Sequence, residues 1–230
     1  MEPKIEFDAS DEVIHARYAH TRHTDPPPAN NPAMPEQRPE ELQVWTNFKN
    51  GDKQALAQIY TSTVKALLNY GQKFIADKDI VADLIQDLFI EIWNHRENLS
   101  STSSIKYYLL KALRYKIIRH LNQNKHISVR NGISDNYTFE LVFSHESLLI
   151  EDISQEEEKE KLSLALAQLT KRQREAIYLR YYNNLSYPEI ASLMAVSEQA
   201  VYNLVSKALK SLQQYLLHNI YLFLLSCYLF

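Results

Sequence analysis

Residues 185–212 read L-S-Y-P-E-I-A-S-L-M-A-V-S-E-Q-A-V-Y-N-L-V-S-K-A-L-K-S-L and hold two helix start signals in close succession. Ser186 followed by Glu189 makes a capping box, in which side chains at each end satisfy free backbone amides. Ser197 supplies a second cap just after Ala195-Val196, so a first helix must end there. Ile190, Leu193 and Met194 fall on one face of the first helix, and Val201, Val205, Ala208 and Leu212 on one face of the second. Ala191 is small where two helices must cross closely. The pattern predicts helices over residues 187–194 and 198–217 in a helix-turn-helix, whose second helix fits the major groove of DNA. Helix pairs of this form also occur in proteins that never meet nucleic acid, so form alone leaves the function open.

The residue types on the outward face favour DNA. Glu198, Gln199, Tyr202, Asn203, Ser206, Lys207 and Lys210 all carry groups that hydrogen-bond bases or phosphates. Just upstream, Thr170-Lys171-Arg172-Gln173-Arg174 opens another capped helix, predicted over residues 171–183. Its first turn is cationic, although the helix dipole favours acids there, and this points to an anionic partner.

Only Gly51, Gly71 and Gly132 are glycine, and aliphatic residues recur at helical rather than alternating spacing. The expected fold class is all-α: two small helical domains joined by an acidic linker. A single cysteine, Cys227, excludes an internal disulfide framework and a cysteine-based zinc cluster, and fits a cytoplasmic location. The charged opening, residues 1–10, is not expected to act as a secretory signal. No metal-ligand cluster, phosphate-binding glycine loop or nucleophile constellation is legible, so no catalytic residue, metal or cofactor is expected, and the chain is not read as an enzyme.

Net charge divides unevenly along the chain: -4 over residues 1–40, +4 over 41–126, -7 over 127–160 and +4 over 161–230. Alternation of this kind speaks of partners rather than of fold. Residues 1–41, with six prolines between Pro26 and Pro39 and little apolar content, read as a disordered tail. Residues 42–126 carry four helical patterns and form the first expected domain, including an apolar face at Ile80, Val81, Leu84, Ile85, Leu88, Phe89, Ile92 and Trp93. Residues 127–156 are the acidic linker, and residues 157–217 the second domain. Residues 218–230 form an apolar tail too short to span a bilayer. Three readings fit it: packing back onto a domain, a partner-binding surface, or contact with a membrane surface.

The segment over residues 105–125 is the second functional signal. Lys106, Lys111, Arg114, Lys116, Arg119 and Lys125 fall there without a single acid, and Tyr107, Tyr108 and Tyr115 are interleaved. Basic charge tracks a phosphate backbone, and aromatic faces stack on unpaired bases. An ordinary amphipathic helix with solvated lysines is the competing reading.

Taken together the two halves resemble a known family. D-L-I-Q-D-L-F-I-E-I-W at residues 83–93, followed by a polar loop and the basic-aromatic helix, resembles region two of bacterial sigma factors. L-T-K-R-Q-R-E-A-I-Y-L-R-Y-Y-N-N-L-S-Y-P-E-I-A at residues 169–191, running into the helix-turn-helix, resembles region four. With no separate domain between them, the chain is similar to the extracytoplasmic-function (ECF) class over about residues 42–217. The resemblance implies a transcription initiation factor that takes core RNA polymerase to promoter DNA, with an anti-sigma factor as a further partner. It implies that Asp83, Gln86, Asp87 and Glu91 face polymerase. It implies that Asn98, Ser100, Lys106, Tyr107, Lys111, Arg114 and Arg119 hold the minus-ten element. Ser197, Gln199, Tyr202, Asn203, Lys207, Lys210, Lys171, Arg172 and Arg174 are then assigned to the minus-thirty-five element, with Gln199 and Asn203 as base readers. The acidic linker is either a nucleic-acid mimic inside polymerase or a solvated connector.

Three positions depart from the family pattern. Ala195 stands where glycine is usual in the turn, and Leu204 and Leu209 stand near positions that usually carry arginine. The leucines are expected to weaken independent DNA affinity, or to pack against the apolar tail. Two other functions remain compatible with the residues: a free-standing dimeric helix-turn-helix regulator, and a protein-interaction adaptor that keeps the fold.

Overall fold

Asp52 and Asp77 start the two helices that organise the first half of the chain. Each adopts an extended backbone and accepts hydrogen bonds from the amides that open its helix: Gln54 for Asp52, Asp79 and Ile80 for Asp77. The computed structural model describes the backbone of residues 39–102, 104–123, 137–141 and 156–229, and side chains within 40–102, 104–123, 137–141 and 162–215. Most of the N-terminal tail, Lys125, most of the acidic linker and the side chains of the C-terminal tail therefore lie outside the described residues.

Helices α1 (Pro39–Lys49), α2 (Lys53–Gly71), α3 (Lys78–Asn94) and α4 (Ile105–Gln123) pack around Trp45, Phe48, Ile59, Leu67, Ile85, Leu109 and Leu113, all nearly or fully buried. A short 3-10 turn, Arg96–Asn98, leads out of α3, and the Trp45 indole N–H donates to the Ser100 carbonyl at 3.1 Å, tying down the loop that follows. Gly71 lies at a close approach of α2 to α3. A Cβ there would sit 2.4 Å from Val81 Cγ1, so only glycine fits.

The second half comprises α5 (Glu156–Ala167), α6 (Lys171–Ile177), α7 (Tyr187–Met194) and α8 (Glu198–Leu229). Thr170 and Gln173 form a reciprocal capping box on α6, as Ser186 and Glu189 do on α7. The helix predicted over 171–183 is not uniform: its last turn, Tyr178–Tyr182, is a π-turn closed by the Asn183 amide on the Tyr178 carbonyl. Ala195 takes the left-handed conformation (φ 54°, ψ 48°) that ends α7, the backbone for which glycine is usual. The Ser197 hydroxyl then accepts from the Ala200 amide at 3.2 Å and starts α8. That helix does not stop near residue 217 but runs on through the apolar tail to Leu229.

The two halves share one core. Tyr70, Phe74 and Ile117 from the first half belong to the same buried cluster as Ala176, Leu179, Ile190, Val201 and Val205 from the second. Between them lies a short piece of the acidic stretch, residues 137–141. Tyr137 is 5% exposed and Phe139 fully buried, and the Glu140 amide donates to the Lys73 carbonyl at 2.8 Å. That piece is not a solvated connector: its apolar pair is wedged among Tyr70, Phe74 and Tyr178.

Candidate nucleic-acid and polymerase interface

On α3, helical spacing places Asp83, Gln86, Asp87 and Glu91 on one exposed stripe, opposite the buried Val81, Ile85, Leu88 and Ile92. Lys116 of α4 ion-pairs with Glu91. Beside the stripe lies a shallow apolar groove lined by Leu56, Tyr60, Phe89, Ile90 and Trp93. An acid- and amide-bearing ridge next to apolar side chains on a rigid helix suits a protein partner with a complementary basic and apolar face.

The basic-aromatic helix α4 divides its cations between two environments. Arg119 and Tyr115 face solvent, and Asn98 and Ser100 are exposed at the loop before the helix. Lys106 donates to the Asn183 carbonyl at 3.1 Å, and Lys111 to the Ser192 hydroxyl at 2.9 Å, both on the second half of the chain. Burial lowers the pKa of the Lys106 ammonium from its ordinary value, and the charge of Glu41 opposes that shift. Tyr107 lies beneath Lys111 and Tyr108 packs on Trp45.

Arg114 is almost completely buried. It lies on the same stripe as Leu110, Leu113 and Ile117, and its guanidinium grips the Glu175 carboxylate with Nε 2.6 Å from Oε1 and Nη2 3.4 Å from Oε2. Tyr70 donates to Oε1 at 2.8 Å and Tyr137 to Oε2 at 2.5 Å, so both carboxylate oxygens are fully engaged. Burial works against the guanidinium charge, but Glu175 outweighs it and holds the Arg114 pKa above its ordinary value. Burial first, and then the negative charge of Glu175, push the hydroxyls of Tyr70 and Tyr137 well above the ordinary tyrosine value.

In the helix-turn-helix, Gln199 and Asn203 stand exposed one turn apart, and the Gln199 amide donates to the Asn203 side-chain oxygen at 3.3 Å. Lys207 and Lys210 are exposed further along α8. Tyr202 is stacked on Tyr187, with ring centres 3.9 Å apart, and the Arg180 guanidinium lies over the Tyr187 ring while donating to the Leu185 carbonyl. The stacked tyrosines fix the start of α8 against α7. Arg172 is half-buried; Lys171 lies 4.8 Å from the Tyr137 ring centre, and Arg174 reaches the Ala167 carbonyl. Leu204 packs on the core while Leu209 remains exposed.

The structure thus brings the base-reader candidates together on one open face, and the polymerase-facing candidates on another. It draws Lys106, Lys111 and Arg114 into contacts between the two halves. The sequence does not single out Glu175, Tyr137, Phe139 or Tyr70. Their signals were slight: a lone acid in a basic helix, and an aromatic pair at alternating positions inside an acid-rich stretch. Among the described residues there is no cluster of histidine, cysteine and carboxylate groups able to hold a metal, and no helix long and apolar enough to cross a membrane.

Two family models match the chain: Sigma-70 region 2 over residues 59–127, and Sigma-70, region 4 over residues 159–212. The chain belongs to the sigma-70 family of RNA polymerase sigma factors. Within it, the relatives place the chain in the ECF class. The ECF RNA polymerase sigma factor SigK of Mycobacterium tuberculosis (strain ATCC 25618 / H37Rv) is 23% identical, the match covering 70% of this chain and 86% of that protein. The ECF RNA polymerase sigma factor SigX of Bacillus subtilis (strain 168) is 26% identical, over 62% of this chain and 73% of its own length. Among solved structures, that of CnrH in complex with the cytosolic domain of CnrY shares the fold, with a TM-score of 0.51 and 19% identity over 76% of this chain and 96% of that one. The protein is therefore a transcription initiation factor of the ECF type.

Proposed function

We propose that this sigma factor divides its work among three surfaces. The α3 stripe of Asp83, Gln86, Asp87 and Glu91 docks on core RNA polymerase. The loop at Asn98 and Ser100, together with Lys106, Tyr107, Lys111, Arg114 and Arg119 of α4, holds the minus-ten element in its opened form, where binding energy rather than catalysis keeps bases unstacked. The start of α8 enters the major groove of the minus-thirty-five element, with Gln199 and Asn203 reading bases. Ser197, Tyr202, Lys207, Lys210, Lys171, Arg172 and Arg174 fix the helix on the backbone. The observation that carries this reading is the exposed Gln199–Asn203 pair on the second helix of a capped helix-turn-helix.

The protein works in the cytoplasm with polymerase, performs no chemistry of its own, and uses no cofactor. Membership of the ECF class supports an anti-sigma factor as its inhibitory partner. Run-off transcription with core polymerase on a genomic promoter library tests the reading. Specific initiation dependent on this chain is the expected result. Failure both to bind core enzyme and to initiate would remove it.

A further inference from the structure

The loop proposed to hold the opened minus-ten element leads from the 3-10 turn, Arg96–Asn98, to α4. Each end is tied by its neighbours in sequence. The Leu99 amide donates to the Arg96 carbonyl at 3.4 Å, and Leu99 itself packs on the core. The Thr102 hydroxyl donates to the Ser104 carbonyl at 2.9 Å and accepts from the Ser104 amide at 3.2 Å. The Ser104 hydroxyl in turn accepts from the Tyr107 amide at 3.2 Å, in the first turn of α4. The middle of the loop is held from far away. There the Trp45 indole N–H, on α1, donates to the Ser100 carbonyl at 3.1 Å. Trp45 is 1% exposed, and its ring centre lies 5.2 Å from that of Phe48 and 5.1 Å from that of Tyr108, so the donor has nowhere else to turn. Ser100 and Ser101 remain exposed. Helix α1 lies upstream of residue 59, where the match to Sigma-70 region 2 begins.

We propose that Trp45 is a positioning residue for minus-ten base capture: its indole N–H fixes the Ser100 carbonyl and so presets the loop that receives an unstacked base. The inference rests on the minus-ten role assigned above to Asn98 and Ser100. Trp45 is buried and acts through Ser100, not by contact with DNA. A flipped base is selected by hydrogen bonds to its edge and by the shape of its pocket, so the groups that meet it must stand in place beforehand. A loop that ordered only on binding would lose part of the binding free energy to its own ordering. Tryptophan suits the task because it offers one donor, and no acceptor, at the rim of a large flat ring. That ring is locked here between Phe48 and Tyr108. Phenylalanine would keep most of this packing and supply no donor, leaving the Ser100 carbonyl free to turn toward water.

The experiment compares the full-length protein with Trp45→Phe and with a form carrying 3-benzothienylalanine at position 45, an indole isostere with sulfur in place of the N–H. Far-UV circular dichroism establishes that each is folded. Each is joined to core polymerase and competed on two promoter libraries, one randomised over the minus-ten element and the other over the minus-thirty-five element. Both altered forms should lose roughly three- to ten-fold in base preference at the minus-ten element, the range of one net hydrogen bond. Affinity for core polymerase and preference at the upstream element should not change. With 5-fluorotryptophan at position 45 the N–H is present again, and the preference should return. Unchanged minus-ten preference in the folded isostere form overturns the proposal. So does an equal loss in both libraries, which is what a general loosening of the fold would give. Asn98→Ala separates the proposal from the reading beneath it. If that variant relaxes minus-ten preference and the isostere does not, the loop reads the base without Trp45. If neither does, the minus-ten assignment of the loop falls together with the proposal.

Discussion

The Arg114 guanidinium and the Glu175 carboxylate, 61 residues apart in sequence, meet at 2.6 Å in a site from which solvent is excluded. Taking both charges out of water costs several kcal/mol per ion, and the pair persists only because its geometry and added hydrogen bonds offset that cost. Here the two tyrosine hydroxyls supply those bonds.

Removing one partner should therefore hurt more than removing both. Glu175→Ala leaves a buried, unpaired guanidinium and should destabilise the protein by about 3–5 kcal/mol. Arg114→Met combined with Glu175→Leu should recover a large share of that loss. Urea unfolding followed by circular dichroism measures both, and equal losses in the single and double variants would show that charge burial is not the governing cost.

The same site predicts an alkaline limit. Tyr70 and Tyr137 have hydroxyl pKa values raised above the ordinary 10.0, so the folded state holds protons that the unfolded state releases. That contribution is fully present below about pH 10 and is lost as pH rises through the folded-state values. Unfolding free energy should thus fall steeply above pH 10. Tyr70→Phe should flatten that fall, read by denaturant titration at stepped pH.

How much of this was legible depended on the range of the interaction. The caps at Ser186 and Ser197 and the buried faces of Ile190, Leu193, Val201 and Val205 follow from spacing within a few residues, and the sequence reading located them. Ala195 stands out in the sequence where glycine is usual, and it takes the left-handed backbone. The bonded group of Arg114, Tyr137 and Glu175 is not legible, because no local period links the three. One clue was available: Arg114 is one turn from Leu110 and one turn from Ile117, so its spacing put it on the apolar stripe. Its charge hides that placement, because a cation in a basic helix reads first as a solvent-facing group. Tyr137 and Phe139 were hidden by the acidic character of their neighbours. The continuation of α8 to Leu229 is not legible, because a dense apolar tail reads as separate from the polar-faced helix that leads into it.

Gly71 gives a packing test. Because a Cβ would lie 2.4 Å from Val81 Cγ1, Gly71→Ala should push α2 from α3 and cost about 1–3 kcal/mol. Adding Val81→Ala removes the opposing methyls and should return part of that stability. A thermal melt in which the double variant is weaker than the sum of its single changes would show that the clash is not the cause.

Ala195 gives a backbone test in the opposite direction. A left-handed residue with a Cβ is strained by roughly 1–2 kcal/mol, against which glycine loses some unfolded-state entropy. Ala195→Gly should therefore stabilise the second half by up to about 1 kcal/mol, and Ala195→Val should destabilise it. Hydrogen exchange at the amides of α7 and α8 would report the change locally.

The base-reading assignment separates side chains by what they contact. A bidentate amide-to-base contact is worth about 1–3 kcal/mol of discrimination, whereas a lysine on phosphate weakens binding to all sequences alike. Gln199 and Asn203 are bonded to each other at 3.3 Å, so removing one also frees the other to rotate. Gln199→Ala and Asn203→Ala should each relax preference at the upstream element by that amount, and the double change should fall short of the sum. Lys207→Ala and Lys210→Ala should leave the preference intact and lower the salt dependence of polymerase-bound promoter affinity. Competition among promoters randomised at the upstream element, with holoenzyme at two salt concentrations, distinguishes the two classes. An unchanged preference in the Gln199 and Asn203 variants would move base reading elsewhere on α8.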